Sequence, residues 1–246
     1  MLQWGLITWD GGKLSIASAT VFTFQNSCSY TIWPGTLSGN GAALLGDGGF
    51  ALPPGAAVQL SAPPGWSGRF WARTGCNYDD TGNGQCATGD VLKCTGGGAP
   101  PVSLVEFTLG GGGNKDFYDV SLVDGYNVGM GVRPSGGAGD CQYAGCVADL
   151  KGSCPRELQV ADGGGAVVAC KSACAAFNTP EFCEHSKPET CSPMHYSEMF
   201  KVARRAPPLT VMLTTICRAL ALAPEPTISS LFAPLLELEL RDFIKF

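Results

Sequence analysis

The chain has 246 residues, a mass of 25.6 kDa and a net charge of −5 with a pI near 5.0, which argues against nucleic acid or an anionic membrane surface as main partner. Thirty-four Gly and 17 Pro favour short strands joined by turns and confine helices to the glycine-poor stretches. Twelve cysteines, clustered and without a Cys-x-x-Cys spacing, point to a disulfide framework made in an oxidising compartment and away from zinc; no metal site is expected.

Residues 1–18 have no clear period, and Asp10 and Lys13 interrupt any apolar run. The segment is therefore expected as an atypical leader without order, unlike a signal peptide, with the ordered chain beginning near Ala19. From there TVFTFQNSCSYTIWPG alternates as a strand pair, and Ala51 to Leu60 and Gly68 to Arg73 read as short strands bounded by Pro-Pro-Gly turns. The pattern is that of a β-sandwich. On GRFWAR, Arg69, Trp71 and Arg73 alternate with Phe70 and Ala72, so one face offers guanidinium groups and an aromatic plate. Thr74 to Gly98 is poor in apolar residues and holds three cysteines, a loop excursion braced by bridges.

The chain centres on VSLVEFTLGGGGNKDFYDVSLVDGYNVGMGV, Val102 to Val132, where two β-rich runs flank a glycine connector and predict a hairpin. In the first run Val102, Leu104, Glu106 and Thr108 share a face, so one carboxylate interrupts an apolar row. Glu106 facing Asp119 across the connector supplies two carboxylates on one surface, the material for acid and base work on a sugar. Plain solvated strand faces account for the same residues equally well. Asp119 and Asp124 fall on opposite faces of a regular strand unless it ends between them, and Asp124-Gly125 reads as that end, a turn former first.

From Cys141 the character changes, with seven cysteines up to Cys191. Ala166 to Phe177 predicts a helix carrying Cys170 and Cys174 on one face, from which two bridges leave in preference to a metal site. A second helix is predicted from Ser192 as N-cap and Pro193 at the first position through MHYSEMFK. His185 and His195 sit in no catalytic string and are assigned to structure, and no serine lies in a nucleophile-elbow context.

Together ATVFTFQNSC, ARTGC, GNGQCATGD, VEFTL, DFYDVSLVDGYN, CPRELQV, VVACKSAC and CSPMHYSEMFK resemble strings of the thaumatin-like family, the osmotin and pathogenesis-related defence proteins of plants, over about residues 19–201. The resemblance implies a mainly β fold, a flattened antiparallel β-sandwich formed by 19–73 and 102–147. It further implies two disulfide-rich excursions, a small one at 74–101 and a larger, partly helical one at 148–199. An acidic cleft between sandwich and larger excursion is implied to bind β-1,3-glucan or fungal cell-wall polysaccharide, with weak endo-β-1,3-glucanase activity in some members. Arg69, Glu106, Asp119 and Asp124 occupy the matching positions. Glu106, partly buried beside Val102 and Leu104, would be the acid, and an aspartate would steer water or stabilise the oxocarbenium-like state. By the same resemblance the protein is a secreted monomer that needs no cofactor. Its acidity sets it apart from the basic, sweet-tasting members.

Departures from the family strings bear on the bridges. Val91 follows Gly89-Asp90 where the family has cysteine, depriving Cys94 of its partner, and Glu184 after Cys183 does the same to Cys191. By resemblance only Cys76 with Cys86, Cys154 with Cys170, and Cys174 with Cys183 stay complete. The partners of Cys28, Cys141 and Cys146 belong to closing strands replaced here by an atypical tail, residues 200–246, whose Cys217 has no assigned role. In the tail, Leu209 to Pro224 is too short to span a bilayer and Ile228 to Phe246 predicts an amphipathic helix. Alternatives left open are a non-catalytic sugar- or protein-binding module and a family member without activity.

Overall fold

The computed structural model describes residues 9–10, 13–14, 19–39, 41–79, 84–90, 97–113, 115–135, 141, 143–146, 148–179, 182, 195–202, 215–218 and 227–233. Within the leader, Trp9–Asp10 pairs with Lys13–Leu14. The expectation of a leader without order falls otherwise outside the described residues.

Strands β1 (Thr20–Asn26), β2 (Ile32–Ser38), β3 (Ala57–Ala62), β4 (Ser67–Thr74), β5 (Leu104–Gly111), β6 (Lys115–Ser121), β7 (Gly129–Ser135) and β8 (Ala144–Cys146) supply most of two sheets. Two further strands, β9 (Gln159–Ala161) and β10 (Val167–Cys170), form a separate antiparallel pair. Strands β11 (Thr215–Arg218) and β12 (Thr227–Ala233) complete the sheets, whose orders are β11-β6-β5-β4-β2 and β8-β7-β12-β1-β3. All described pairings are antiparallel except that of β12 with β1. The result is a mainly β, two-sheet sandwich.

Alternation explains the core. In β1 the burial pattern is strictly alternating, so Phe22 and Phe24 point inward. Phe22 meets Trp66, Phe70 and Phe107 with ring centroids 5.3, 5.0 and 4.8 Å away, and Tyr118, Val105 and Leu109 extend the same cluster. These inward residues come from both sheets and weld them face to face.

The predicted strand pair of residues 20–35 is corrected: β1 and β2 belong to different sheets. The turn between them is held by Asn26, fully buried, whose side chain donates to the carbonyls of Tyr30 (2.9 Å) and Leu52 (2.7 Å) and accepts from the Cys28 amide (2.8 Å). Pro34, which has no N–H, suits β2 to the sheet edge it occupies.

The single helix predicted for Ala166 to Phe177 is also corrected. Val167–Cys170 is strand β10, and helix α1 covers only Ala173–Phe177. β-Branched Val167 and Val168 favour the pairing with β9, and Ser172 starts the helix afresh by accepting the Ala175 amide at 3.2 Å. Cys170 and Cys174 therefore lie on different elements. Helix α2 spans His195–Val202; its predicted cap Ser192-Pro193 and His185 lie outside the described residues. Tyr196 anchors α2 by donating to the Glu157 carboxylate at 2.8 Å and by packing beside Phe177 and Phe182.

Cys76–Cys86 and Cys154–Cys170 are bridged, and Cys174 is disulfide-bonded, its expected partner Cys183 lying outside the described residues. Cys141 is disulfide-bonded too, against the expectation that it lacks a partner. Cys28 is a free, buried thiol. Cys94 and Cys191 lie outside the described residues.

In the tail, the predicted helix from Ile228 gives way over its first residues to β12, which lies between β7 and β1. A vacant place there would leave backbone donors and acceptors of both neighbours unpaired in mid-sheet, a stronger demand than the tail's own periodicity. No described helix is long and apolar enough to cross a membrane.

Buried phenols at one end of the sandwich make stability sensitive to alkali. Burial raises the pKa of the Tyr30 and Tyr126 hydroxyls and of the Cys28 thiol, and pushes that of Tyr143 up to about 12. Above the unfolded values of 9.0 for cysteine and 10.0 for tyrosine, the folded chain holds more protons than the unfolded one. The stability these groups contribute is complete below pH 9.0 and declines as pH rises, the Tyr143 share being lost through about pH 12. Urea midpoints measured across that window should fall steadily, less so in Tyr143→Phe; a flat profile in the wild type would contradict the assignment.

Candidate functional site

The register of the first sheet builds the site. On β5, Glu106 stands directly opposite Asp119 of β6 and, on its other side, opposite Arg69 of β4; Leu37 of β2 faces Arg69 in turn. Directly opposed residues share a face with Cβ atoms about 4.5–5.5 Å apart, so Arg69, Glu106 and Asp119 form one transverse row. Their sequence neighbours Phe70, Val105, Phe107, Tyr118 and Val120 point the other way into the core. The strong inward preference of those residues is what turns the polar row outward.

Arg69 and Glu106 form an ion pair at 3.4 Å, with side chains 39% and 37% exposed. Such a half-exposed pair contributes little to stability; it holds two groups in a defined orientation. The row lines an open groove of about 530 Å³, whose other walls include Ser38, Ser67, Thr108 and Phe117.

One row further along, the same face is closed. Trp71, Val102 and Leu104 are buried as a small apolar cluster against Leu37, and the Trp71 indole donates to the Gly89 carbonyl at 3.1 Å. Trp71 is therefore no open aromatic plate. Arg73 is likewise withdrawn: it is buried and donates to the carbonyls of Trp33 (3.0 Å) and Pro34 (3.3 Å) and to the Tyr78 hydroxyl (3.1 Å). Of the face predicted on GRFWAR, Arg69 alone lines the groove.

Asp124 is not brought to the row. Strand β6 ends at Ser121, and Asp124 sits in the turn that follows, where its carbonyl accepts the Val102 amide at 3.1 Å. Gly125 has φ +97°, and a Cβ there would lie 2.6 Å from the Cys170 carbonyl oxygen, so the turn needs glycine at that position. Among the described residues the lining of the groove includes none from the larger excursion, of which residues 180–181 and 183–194 lie outside the described residues. The described lining lies on one sheet.

Ser67 and Phe117 were not singled out in the sequence, whereas Thr108 was placed on the face of Glu106 without a role. Parity would have found them: each lies two positions from Arg69, Glu106 or Asp119, and Thr108 is paired with both Ser67 and Phe117. With two carboxylates, a guanidinium and three hydroxyls, the surface offers hydrogen-bond partners of both kinds for a neutral, hydroxyl-rich ligand. Among the described residues, no group of three or more His, Cys, Asp and Glu is placed to hold a metal ion.

Fold and site define a disulfide-braced β-sandwich with an open polar groove on one sheet. The chain belongs to the Thaumatin family, whose profile matches residues 26–207. It is 64% identical over 190 residues to Pathogenesis-related protein 5 of Arabidopsis thaliana, covering 75% of this chain and 79% of that protein. It is 61% identical over 194 residues to Pathogenesis-related thaumatin-like protein 3.5 of Cryptomeria japonica, covering 76% and 79%. A Prunus avium relative named Glucan endo-1,3-beta-glucosidase is 49% identical over 192 residues, covering 75% and 78%.

Proposed function

We propose that the protein is an extracellular plant defence protein that binds β-1,3-glucan in the groove of Arg69, Glu106 and Asp119. The observation that carries this is the transverse row itself, three charged side chains side by side on an outward face beside an open groove. The name of the Prunus avium relative supports the choice of glucan, and the bridged cysteines support an oxidising compartment. If glycosidic cleavage occurs, Glu106 acts as the acid and Asp119 as the second carboxylate of the pair, while Asp124 contributes from the turn that follows the hairpin.

Binding without cleavage is the second reading, and the Arg69–Glu106 ion pair favours it. A paired carboxylate offers acceptors only, which suits holding sugar hydroxyls and not protonating a leaving group.

Retention of the purified, oxidatively refolded chain on insoluble β-1,3-glucan tests the proposal. Glu106→Gln and Asp119→Asn are each expected to weaken retention about tenfold or more, because hydrogen bonds to a charged group are lost. A wild-type chain that does not bind would overturn it. Reducing sugar released by wild type and not by Glu106→Gln would decide for hydrolysis; none released would decide for binding alone.

A further inference from the structure

One residue of the groove has a chemistry that the charged row does not use. Phe117 is half-buried on β6, two positions before Asp119 and on the same face, so its side chain stands about 7 Å along the strand from the aspartate, the scale of one pyranose ring. It lines the groove instead of joining the core, and among the described residues no other ring packs on it. Opposite it across the sheet stands the exposed Thr108, and opposite Thr108 stands Ser67. A second row thus runs parallel to the first: hydroxyl, hydroxyl, aromatic ring beside guanidinium, carboxylate, carboxylate.

The hairpin keeps that ring in place. A Cβ on Gly111 would lie 2.9 and 3.1 Å from two ring carbons of Phe117, closer than side chains pack, so glycine here leaves the space the ring occupies. The register shift between Lys115 and Phe117 on the same strand brings Phe117, and not its neighbour, opposite Thr108.

We infer that Phe117 is the stacking platform of a second sugar position in the groove, taking the C–H face of a glucose ring next to the one held by Glu106 and Asp119. The Ser67 and Thr108 hydroxyls meet the equatorial hydroxyls at its edge. A β-linked glucose ring suits the platform because all its ring substituents are equatorial, leaving flat C–H faces for an aromatic ring to cover. The inference rests on the glucan reading above and extends it from one contact row to two, giving the groove room for consecutive residues of one polysaccharide chain.

The test compares retention on insoluble β-1,3-glucan of wild type, Phe117→Ala, Phe117→Trp and Gly111→Ala. Phe117→Ala and Gly111→Ala should each weaken binding by about three- to tenfold, the first by removing the plate and the second by displacing it, while Phe117→Trp should bind at least as well as wild type. In Phe117→Trp, added soluble β-1,3-gluco-oligosaccharide should shift the indole emission to the blue. Retention of wild type with undiminished binding of Phe117→Ala and Gly111→Ala would overturn the stacking role and leave the glucan reading standing. Failure of wild type to bind, with no emission change in Phe117→Trp, would overturn both. Should Phe117→Ala fail to fold, Gly111→Ala and the Phe117→Trp emission decide on their own.

Discussion

Replacing Asn127 with alanine should destabilise the protein by about 3 kcal/mol or more, because several buried backbone groups lose their only side-chain partner at once. Asn127 is 1% exposed. Its Oδ1 accepts the amides of Ser103 (3.0 Å) and Val128 (2.9 Å), and its Nδ2 donates to the Ala72 carbonyl (2.8 Å) and the Thr88 hydroxyl (2.9 Å). One amide thus joins strand β4, the segment entering β5 and the small excursion, next to the Trp71 cluster that closes one side of the groove. Each buried group left unsatisfied costs about 1–3 kcal/mol. Urea denaturation at neutral pH, with the slope unchanged, measures the effect. Asn127→Asp should also destabilise, since it keeps the acceptor and loses the donor to Ala72 and Thr88. A loss below about 1 kcal/mol in Asn127→Ala would show that the network relaxes around the change.

Phe22→Ala should cost about 3–5 kcal/mol, the range for deleting a buried phenylalanine. Phe22 is fully buried at the point where the two sheets meet, with three aromatic neighbours within 5.3 Å. The cavity lies between both sheets, Phe70 and Phe107 are fixed by their own strands and Trp66 by its indole N–H donating to the Ser38 hydroxyl at 2.9 Å, so the site collapses poorly. The corresponding change at Phe117, on the outward face, should cost much less stability. Thermal melting of the two variants side by side checks the contrast: equal losses would mean that Phe117 is part of the core and would count against its role in the groove.

The parts of the site legible in the sequence are those built from local pattern. Alternation in VEFTL and DFYDV with a glycine connector between them is enough to place Glu106 opposite Asp119, and the structure has that register. Arg69 was legible as an outward residue of its strand, but its pairing with Glu106 was not, because the intervening excursion separates β4 from β5 and nothing local says which strands become neighbours. The same blindness explains β1 and β2, where good alternation predicted a pair and Asn26 instead turns the chain into the other sheet. Arg73 and Trp71 share parity with Arg69, yet one is drawn to the edge carbonyls of β2 and the other is capped by Gly89. Periodicity assigns a face, and burial on that face depends on what packs over it.

Local sequence by itself therefore determined the β class, the central hairpin, the inward aromatic residues and the carboxylate pair, because side-chain parity and turn chemistry act over a few residues. Family resemblance supplied the bridges Cys76–Cys86 and Cys154–Cys170, which spacing alone does not select. Tertiary structure alone decided that the described lining of the groove lies on one sheet, that Val167–Cys170 is a strand and that tail residues Thr227–Ala233 fill a sheet. Each of those outcomes turns on satisfying backbone hydrogen bonds or covering apolar surface between segments far apart in the chain, and the short-range pattern of residues does not encode which distant partner will do so.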